Sequence, residues 1–229
     1  MQIPSAKVIE VLHSVGISRL YHANSVATAC QFMKGRSLLS RGICERKGLK
    51  QTPQASDSLD KRYSIWFDVF MDSVDIHDRA KRANAYGPVL LVVNTSIITQ
   101  CYTGAIWVTK CNPTRWSGTN SDARWFQGAA DLKSGFVKGR FDQMIVIRHN
   151  GGELPLQNHL EEIILDDPKH QDAEGTDTYS QSVGALRFAM SEGQLDVPIR
   201  RRKCSHACGC TAAYTNQSQR RKMFDPHGA

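Results

Sequence analysis

The chain has 229 residues, 41% of them hydrophobic, and 29 Lys and Arg against 22 Asp and Glu, for a formal net charge of +7. This length and apolar content suit one domain with extensions and exclude a wholly disordered chain. No apolar run approaches the ~20 residues of a membrane span, and the basic balance favours phosphate-rich partners, nucleic acid before an anionic membrane.

The opening "MQIPSAKVIEVLHSVG" carries charged residues inside its apolar pattern, unlike a signal peptide. Val8, Ile9, Val11 and Leu12 make a helical stripe that Gly16 stops. "SRLYHAN" reads as a short strand, and "SVATACQFMKGRS" as a helix capped by Ser25 and closed around Gly35. "SLLSRG" runs from apolar residues into a turn, and residues 45–60 lack any period, so they read as a surface loop. "RYSIWFDVFMD" is a strand or short buried segment, and "SVDIHDRAKRANAYG" a polar helix or loop. "PVLLVVNTSII", "AIWVTK", "FDQMIVIRHNGG" and the "EIIL" of "LPLQNHLEEIILDDP" are further strands, the third ending in a turn. This order predicts an α+β domain with a mostly antiparallel core over residues 1–170. Residues 171–229 are expected to hold a polar linker, a helix ("SVGALRFAMSEG") and a mobile basic tail.

The seven cysteines, Cys30, Cys44, Cys101, Cys111, Cys204, Cys208 and Cys210, are odd in number and scattered. With no export signal, they are expected as reduced thiols in cytoplasm. Cys204, His206, Cys208 and Cys210 have ligand-type side chains, but "CSHACGC" is too compressed for the paired spacings of structural zinc, so no metal is expected. No P-loop, HExxH, GxSxG or GxGxxG pattern is present.

The "SRLYHANS" stretch ends an apolar run in His22, which is either a hydrogen-bonded structural residue or a ligand contact. Arg62 precedes the aromatic segment Trp66–Phe70, where an Arg ordinarily snorkels or pairs with an acid. Glu161 and Glu162 precede an apolar run, where such residues are usually solvated. In combination these signals resemble the ADP-ribosyltransferase superfamily, and within it the DarT-like toxins that modify nucleic acid. The resemblance rests on Tyr21-His22-Ala23-Asn24-Ser25, on Gly35 to Arg41 ("GRSLLSR"), on Arg62 with Asp68-Val69-Phe70, and on Glu162-Ile163-Ile164-Leu165, with Glu161 as the alternative register. It spans about residues 18–168, and departs from the family where "DVFMDSVD" lacks the proline of that segment.

The resemblance implies a split antiparallel β core with flanking helices and nicotinamide adenine dinucleotide (NAD) as substrate, without a metal. His22 would hold a ribose hydroxyl, and Ala23, where the family often has Gly, would let the ligand lie against backbone. Asn24, Ser25, Leu39, Arg41 and Tyr63 complete the implied NAD-binding set, with Tyr86 a second aromatic candidate for stacking. Arg62 would neutralise diphosphate or acceptor charge, and Glu162 would stabilise positive charge at the ribose anomeric carbon and take a proton from an acceptor base. The implied acceptor is a base of RNA or single-stranded DNA, in a toxin–antitoxin or phage-defence setting with an antitoxin protein as partner. Arg200, Arg201, Arg202, Lys203, Arg220, Arg221 and Lys222 are expected to meet phosphates. A protein side chain as acceptor, or a non-catalytic nucleic-acid-binding module, are the alternatives.

Overall fold

The computed structural model describes residues 1–79 and 84–227. Ile3–Pro4 (β1) leads into Ser5–Ser14 (α1), which buries Val8, Val11 and Leu12 as its stripe requires. Arg19–Asn24 (β2) is followed by Ser25, whose Oγ accepts the Thr28 N–H and so starts Val26–Gly35 (α2). After Ser37–Leu39 (β3), Ser40 repeats the device on the Ile43 N–H and starts Arg41–Arg46 (α3), where the sequence predicted only a turn. Asp57–Arg62 (α4) takes up the end of the expected 45–60 loop, and the aromatic segment contracts to a strand at Val69–Met71 (β4). Ile76–Arg79 (α5) realises the helical reading of "SVDIHDRAKRANAYG", of which residues 80–83 lie outside the described residues. Val89–Asn94 (β5), Ala105–Val108 (β6), Ser121–Arg124 (α6), Ala129–Gly135 (α7) and Ile145–Ile147 (β7) follow. Glu153–Pro155 (β8), Leu160–Asp166 (β9), Thr178–Glu192 (α8), Ile199–Arg202 (β10), Gly209–Thr215 (α9) and Gln217–Phe224 (α10) complete the chain.

The strands form two four-stranded sheets, in the orders β10-β9-β5-β2 and β1-β6-β7-β4, beside a small β3-β8 pair. All pairings are antiparallel except β10 on β9. The two sheets meet where Tyr21 and Asp72 exchange backbone hydrogen bonds of 3.0 and 2.9 Å, and then part. This is the split antiparallel core expected from the sequence. β5 shows why "VLLVV" is a continuous apolar run. Leu91 and Val93 face the main core, while Leu90 and Val92 face a second cluster with Ile164, Tyr21 and Ala23, so both faces are covered. Each such side chain contributes roughly 1.5–3 kcal/mol by burial.

The expectation of a mobile tail does not hold for Ile199–Phe224. α8 packs on α2, with Leu186 and Ala189 in the main core, and β10 extends the sheet beside β9. Cys204, Cys208, Cys210, Tyr214, Met223 and Phe224 are all buried in the same core. The reason is physical: reduced cysteines behave as small apolar residues, and two short helices can each bury one or two side chains without a long period. Among the described residues, no helix is long and apolar enough to cross a membrane.

Candidate active site

Beyond the Tyr21–Asp72 bridge, the gap between β2 and β4 opens into a cleft holding about 970 Å³ of non-protein space, its open mouth included. Tyr21, His22, Ala23 and Asn24 line one wall and Val69 to Asp72 the other. Side chains alternate along a strand, so successive residues share one cleft only where backbone edges line it. Leu39, Ser40 and Arg41, the 51–60 segment and Tyr86 close the rim. Gly87 makes this closure sterically feasible: it sits at φ 149°, and a Cβ there would stand 2.1 Å from the backbone of Asn24.

His22 is held at both ring nitrogens. Phe70 O can only accept, so Nδ1 carries the proton and donates at 2.7 Å; Nε2 then accepts from Asn24 Nδ2 at 2.7 Å. Burial lowers the imidazole pKa, which keeps the ring neutral and Nε2 an acceptor. His22 is therefore a structural residue and a cleft residue at once.

Arg41 stands at the first position of α3. Its Nε and Nη2 donate to Asp57 at 3.0 and 2.7 Å, and its guanidinium lies 5.6 Å from the Trp66 ring. Among the described residues its Nη1 is buried without a hydrogen-bond partner, as is Gln51 Oε1, while Gln51 Nε2 donates to Arg41 O at 3.1 Å. Both residues line the cleft. A buried polar atom left unmatched costs about 1–3 kcal/mol, which a water or a polar ligand in the cleft would recover.

The cleft also holds two carboxyls that burial pushes upward, Asp60 to about 6 and Asp68 to about 7. Asp68 Oδ2 lies 2.6 Å from Arg148 Nε, a close ion pair. The Arg148 guanidinium lies 5.0 Å from the Trp107 ring and 5.1 Å from the Trp125 ring, which fix it in place. Sequence reasoning missed Asp60 and Arg148. Arg148 follows β7 directly, and nothing local ties it to Asp68.

No family model and no curated protein matches the sequence. Among solved structures, the chain is similar to DarT from Thermus sp. 2.9 in complex with ADP-ribosylated ssDNA. The TM-score is 0.50 at 11% identity, covering 81% of this chain and 94% of that one. The fold is that of DarT.

Of the candidate NAD-binding residues, His22, Ala23, Asn24, Leu39 and Arg41 come together in the cleft, with the stacking candidate Tyr86 at its rim. Ser25 is buried beside it as the α2 cap, bonded to Thr52 Oγ1 at 2.6 Å. Arg62 and Tyr63 stand outside the lining: Arg62 is exposed, and Tyr63 packs 5.4 Å from Trp116. Glu162 pairs across the sheet with Val92, and Val92 with Tyr21, so the three share a face. Glu161 falls in the β9 irregularity at Val92/Val93 and bonds Arg19 and Asn94 at 2.5 and 2.9 Å. Glu162 does not line the cleft, and it pairs with Arg200 at 3.1 Å.

In the C-terminal segment, Arg201 pairs with Asp167 and Asp177, and Arg202 with Asp166 and Asp75. Arg220 donates to the Tyr214 and Thr215 carbonyls, and Lys222 is half-buried. Lys203 and Arg221 are exposed. Among the described residues one cluster carries metal-ligating side chains, His77 with Cys204, Cys208 and Cys210, and none of the four lines the cleft.

Proposed function

We propose that the chain is an NAD-dependent mono-ADP-ribosyltransferase that modifies nucleic acid, with NAD bound as substrate in the β2/β4 cleft. The observation that carries this reading is the unpartnered Nη1 of Arg41 in a cleft of a DarT-like fold. Asp57 fixes the other edge of that guanidinium, so one donor is preorganised for a diphosphate oxygen. Neutral His22 offers Nε2 to the hydrogen of a ribose hydroxyl, in place of the Asn24 amide. Ala23 leaves backbone open to the nicotinamide amide, and Tyr86, 41% exposed on the rim, would cover its ring.

The reaction breaks the bond from the ribose anomeric carbon to the nicotinamide nitrogen and joins that carbon to a base nitrogen. Nicotinamide leaves neutral, and the base gives up a proton. Glu162 is the residue we assign to stabilise the developing positive charge and to accept that proton. It shares a sheet face with Tyr21, two strand spacings (roughly 10 Å) away. Its pair with Arg200, whose side chain is 56% exposed, yields readily to a ligand. Arg62, exposed at the end of α4, and the exposed Lys203 and Arg221 are in this reading cations that meet the acceptor. The net charge of +7 supports a polyanionic acceptor. The ADP-ribosylated ssDNA bound by the similar DarT chain supports single-stranded DNA among such acceptors. In this reading the chain acts in the cytoplasm as a toxin restrained by an antitoxin protein.

The test offers NAD labelled in its adenosine part with single-stranded DNA, RNA or protein in separate reactions. Label on single-stranded DNA is expected. Glu162→Gln should lower transfer by ~10²-fold or more with NAD binding kept, and Arg41→Gln should weaken NAD binding itself. Label on protein alone would overturn the acceptor, and label on nothing would leave a non-catalytic nucleic-acid-binding module.

A further inference from the structure

We propose that His77, Cys204, Cys208 and Cys210 form a structural zinc site that fastens the C-terminal segment to α5. One ligand atom from each residue lies within 4.8 Å of the others. Cys208 Sγ is 3.2 Å from Cys210 Sγ and 3.6 Å from His77 Nδ1, and Cys210 Sγ is 3.6 Å from His77 Nε2. Tetrahedral zinc, with bonds of ~2.3 Å to sulfur and ~2.0 Å to nitrogen, sets sulfur–sulfur edges near ~3.8 Å and sulfur–nitrogen edges near ~3.5 Å. With every pair within 4.8 Å, each edge is at most about 1.3 Å longer than in such a tetrahedron.

The chemistry of the set points the same way. Three cysteines and one histidine are a closed structural set, with no position left for a reacting water. All three cysteines are buried, and the His77 side chain is 12% exposed. The run "CSHACGC" cannot supply a tetrahedron alone. Its own His206 is exposed and outside the cluster, and the fourth ligand arrives from α5, 131 residues before Cys208.

A second layer of contacts is also present. Asp166 is fully buried; it accepts from Tyr214 Oη at 2.7 Å and Arg202 Nη1 at 3.0 Å, and its Oδ2 stands 3.9 Å from His77 Nε2. Only one ring nitrogen can ligate; with Nδ1 on the metal, Cys210 Sγ turns from Nε2 toward the ion and the Nε2–H is left to face that carboxylate, the arrangement that orients metal-bound imidazoles. Arg202 and Lys169, which donates to Cys204 O at 3.4 Å, supply positive charge beside three thiolates. The site joins the tail to the segment directly after Asp72, the residue that bridges β4 to β2 at the cleft.

The full chain, without a polyhistidine tag, is expressed in zinc-supplemented medium and purified under reducing conditions without chelator. Elemental analysis should find about one zinc per chain. Exchange for cobalt should give the intense visible bands and thiolate charge-transfer absorption of a tetrahedral thiolate site. His77→Gln and Cys208→Ser should lower bound zinc by ~10-fold or more, while Cys111→Ser keeps it. The cobalt spectrum of the unmutated chain holds the test even if the variants fail to fold. A chain without metal, a disulfide between any two of the three cysteines, or a cobalt spectrum of oxygen ligands would overturn the site.

Discussion

At the β9–β10 edge, Arg200, Arg201 and Arg202 each face a carboxylate, and buried Asp166 accepts from both Arg202 and Tyr214. In the β2/β4 cleft, Arg41 keeps a buried donor and Gln51 an acceptor unmatched among the described residues, and Asp68 a carboxyl raised to about 7 beside Arg148. The edge satisfies its charges internally and uses them to attach a segment to the sheet. The cleft pairs its charges as well, but leaves single polar atoms of Arg41 and Gln51 unmatched among the described residues. Basic residues in one chain thus do two different jobs, and their number alone does not say which.

The sharpest way to break this comparison is to delete residues 199–229. Cys204, Cys208, Cys210, Tyr214, Met223 and Phe224 leave the core, and Asp166 loses both Arg202 and Tyr214. Buried apolar side chains contribute roughly 1.5–3 kcal/mol each, against a typical total stability of ~5–15 kcal/mol. We expect no cooperative melting transition by circular dichroism. A truncated chain that melts near the full-length temperature would make the edge peripheral after all.

That expectation reverses what the tail's composition suggests, and the reversal shows what is legible in a sequence. Ser25 and Ser40 cap their helices over three residues, so capping is readable locally for Ser25, whereas "SLLSRG" hid the Ser40 cap behind a turn-like pattern. β5 and β9 are readable because a strand covered on both faces is a plain apolar run. The His22–Arg41 side of the cleft was legible only as a spacing of motifs. Arg148 on Asp68, and His77 beside the tail cysteines, were not legible, because each joins segments with no local pattern in common. Arg62 and Tyr63 were singled out by their place beside an aromatic segment, and α4 ends there with Arg62 exposed and Tyr63 packed on Trp116.

On the cleft side, the next largest effect should come from Arg148→Met. It keeps bulk between Trp107 and Trp125 but leaves Asp68, 7% exposed, without its counter-charge. We expect a loss of ~3–5 kcal/mol in urea unfolding at about pH 8, with partial recovery in Arg148→Met/Asp68→Asn. A loss under ~1 kcal/mol would mean water already solvates the pair.

Asp68 also sets a pH dependence of defined sign. Its folded-state pKa is raised to about 7 from an ordinary 3.8, chiefly by burial. The folded chain therefore holds a proton that the unfolded chain releases earlier. The stability tied to this proton is complete below about pH 4 and is lost as pH rises to about 7. Asp60, raised to about 6, adds to the same slope. Unfolding midpoints measured between about pH 4 and pH 8 should fall, by an amount on the order of 1–3 kcal/mol, and Asp68→Asn should flatten the curve. A rising curve, or one that Asp68→Asn leaves untouched, would show that Arg148 keeps the carboxyl ionised throughout.

The smallest effect should come from Arg200→Gln at the satisfied edge. The Arg200–Glu162 pair is 3.1 Å long, but its side chains are 56% and 18% exposed, so water and salt screen it. The backbone pairing of β10 on β9 runs through Ile199 to Arg202 and does not need this side chain. We expect a stability change under ~1 kcal/mol, shrinking further in high salt. The contrast with the cleft lies in what else moves: if Glu162 acts on NAD, removing its neighbour should alter turnover more than melting temperature. A large drop in melting temperature with unchanged turnover would make the pair part of the tail's attachment and leave Glu162 a structural residue.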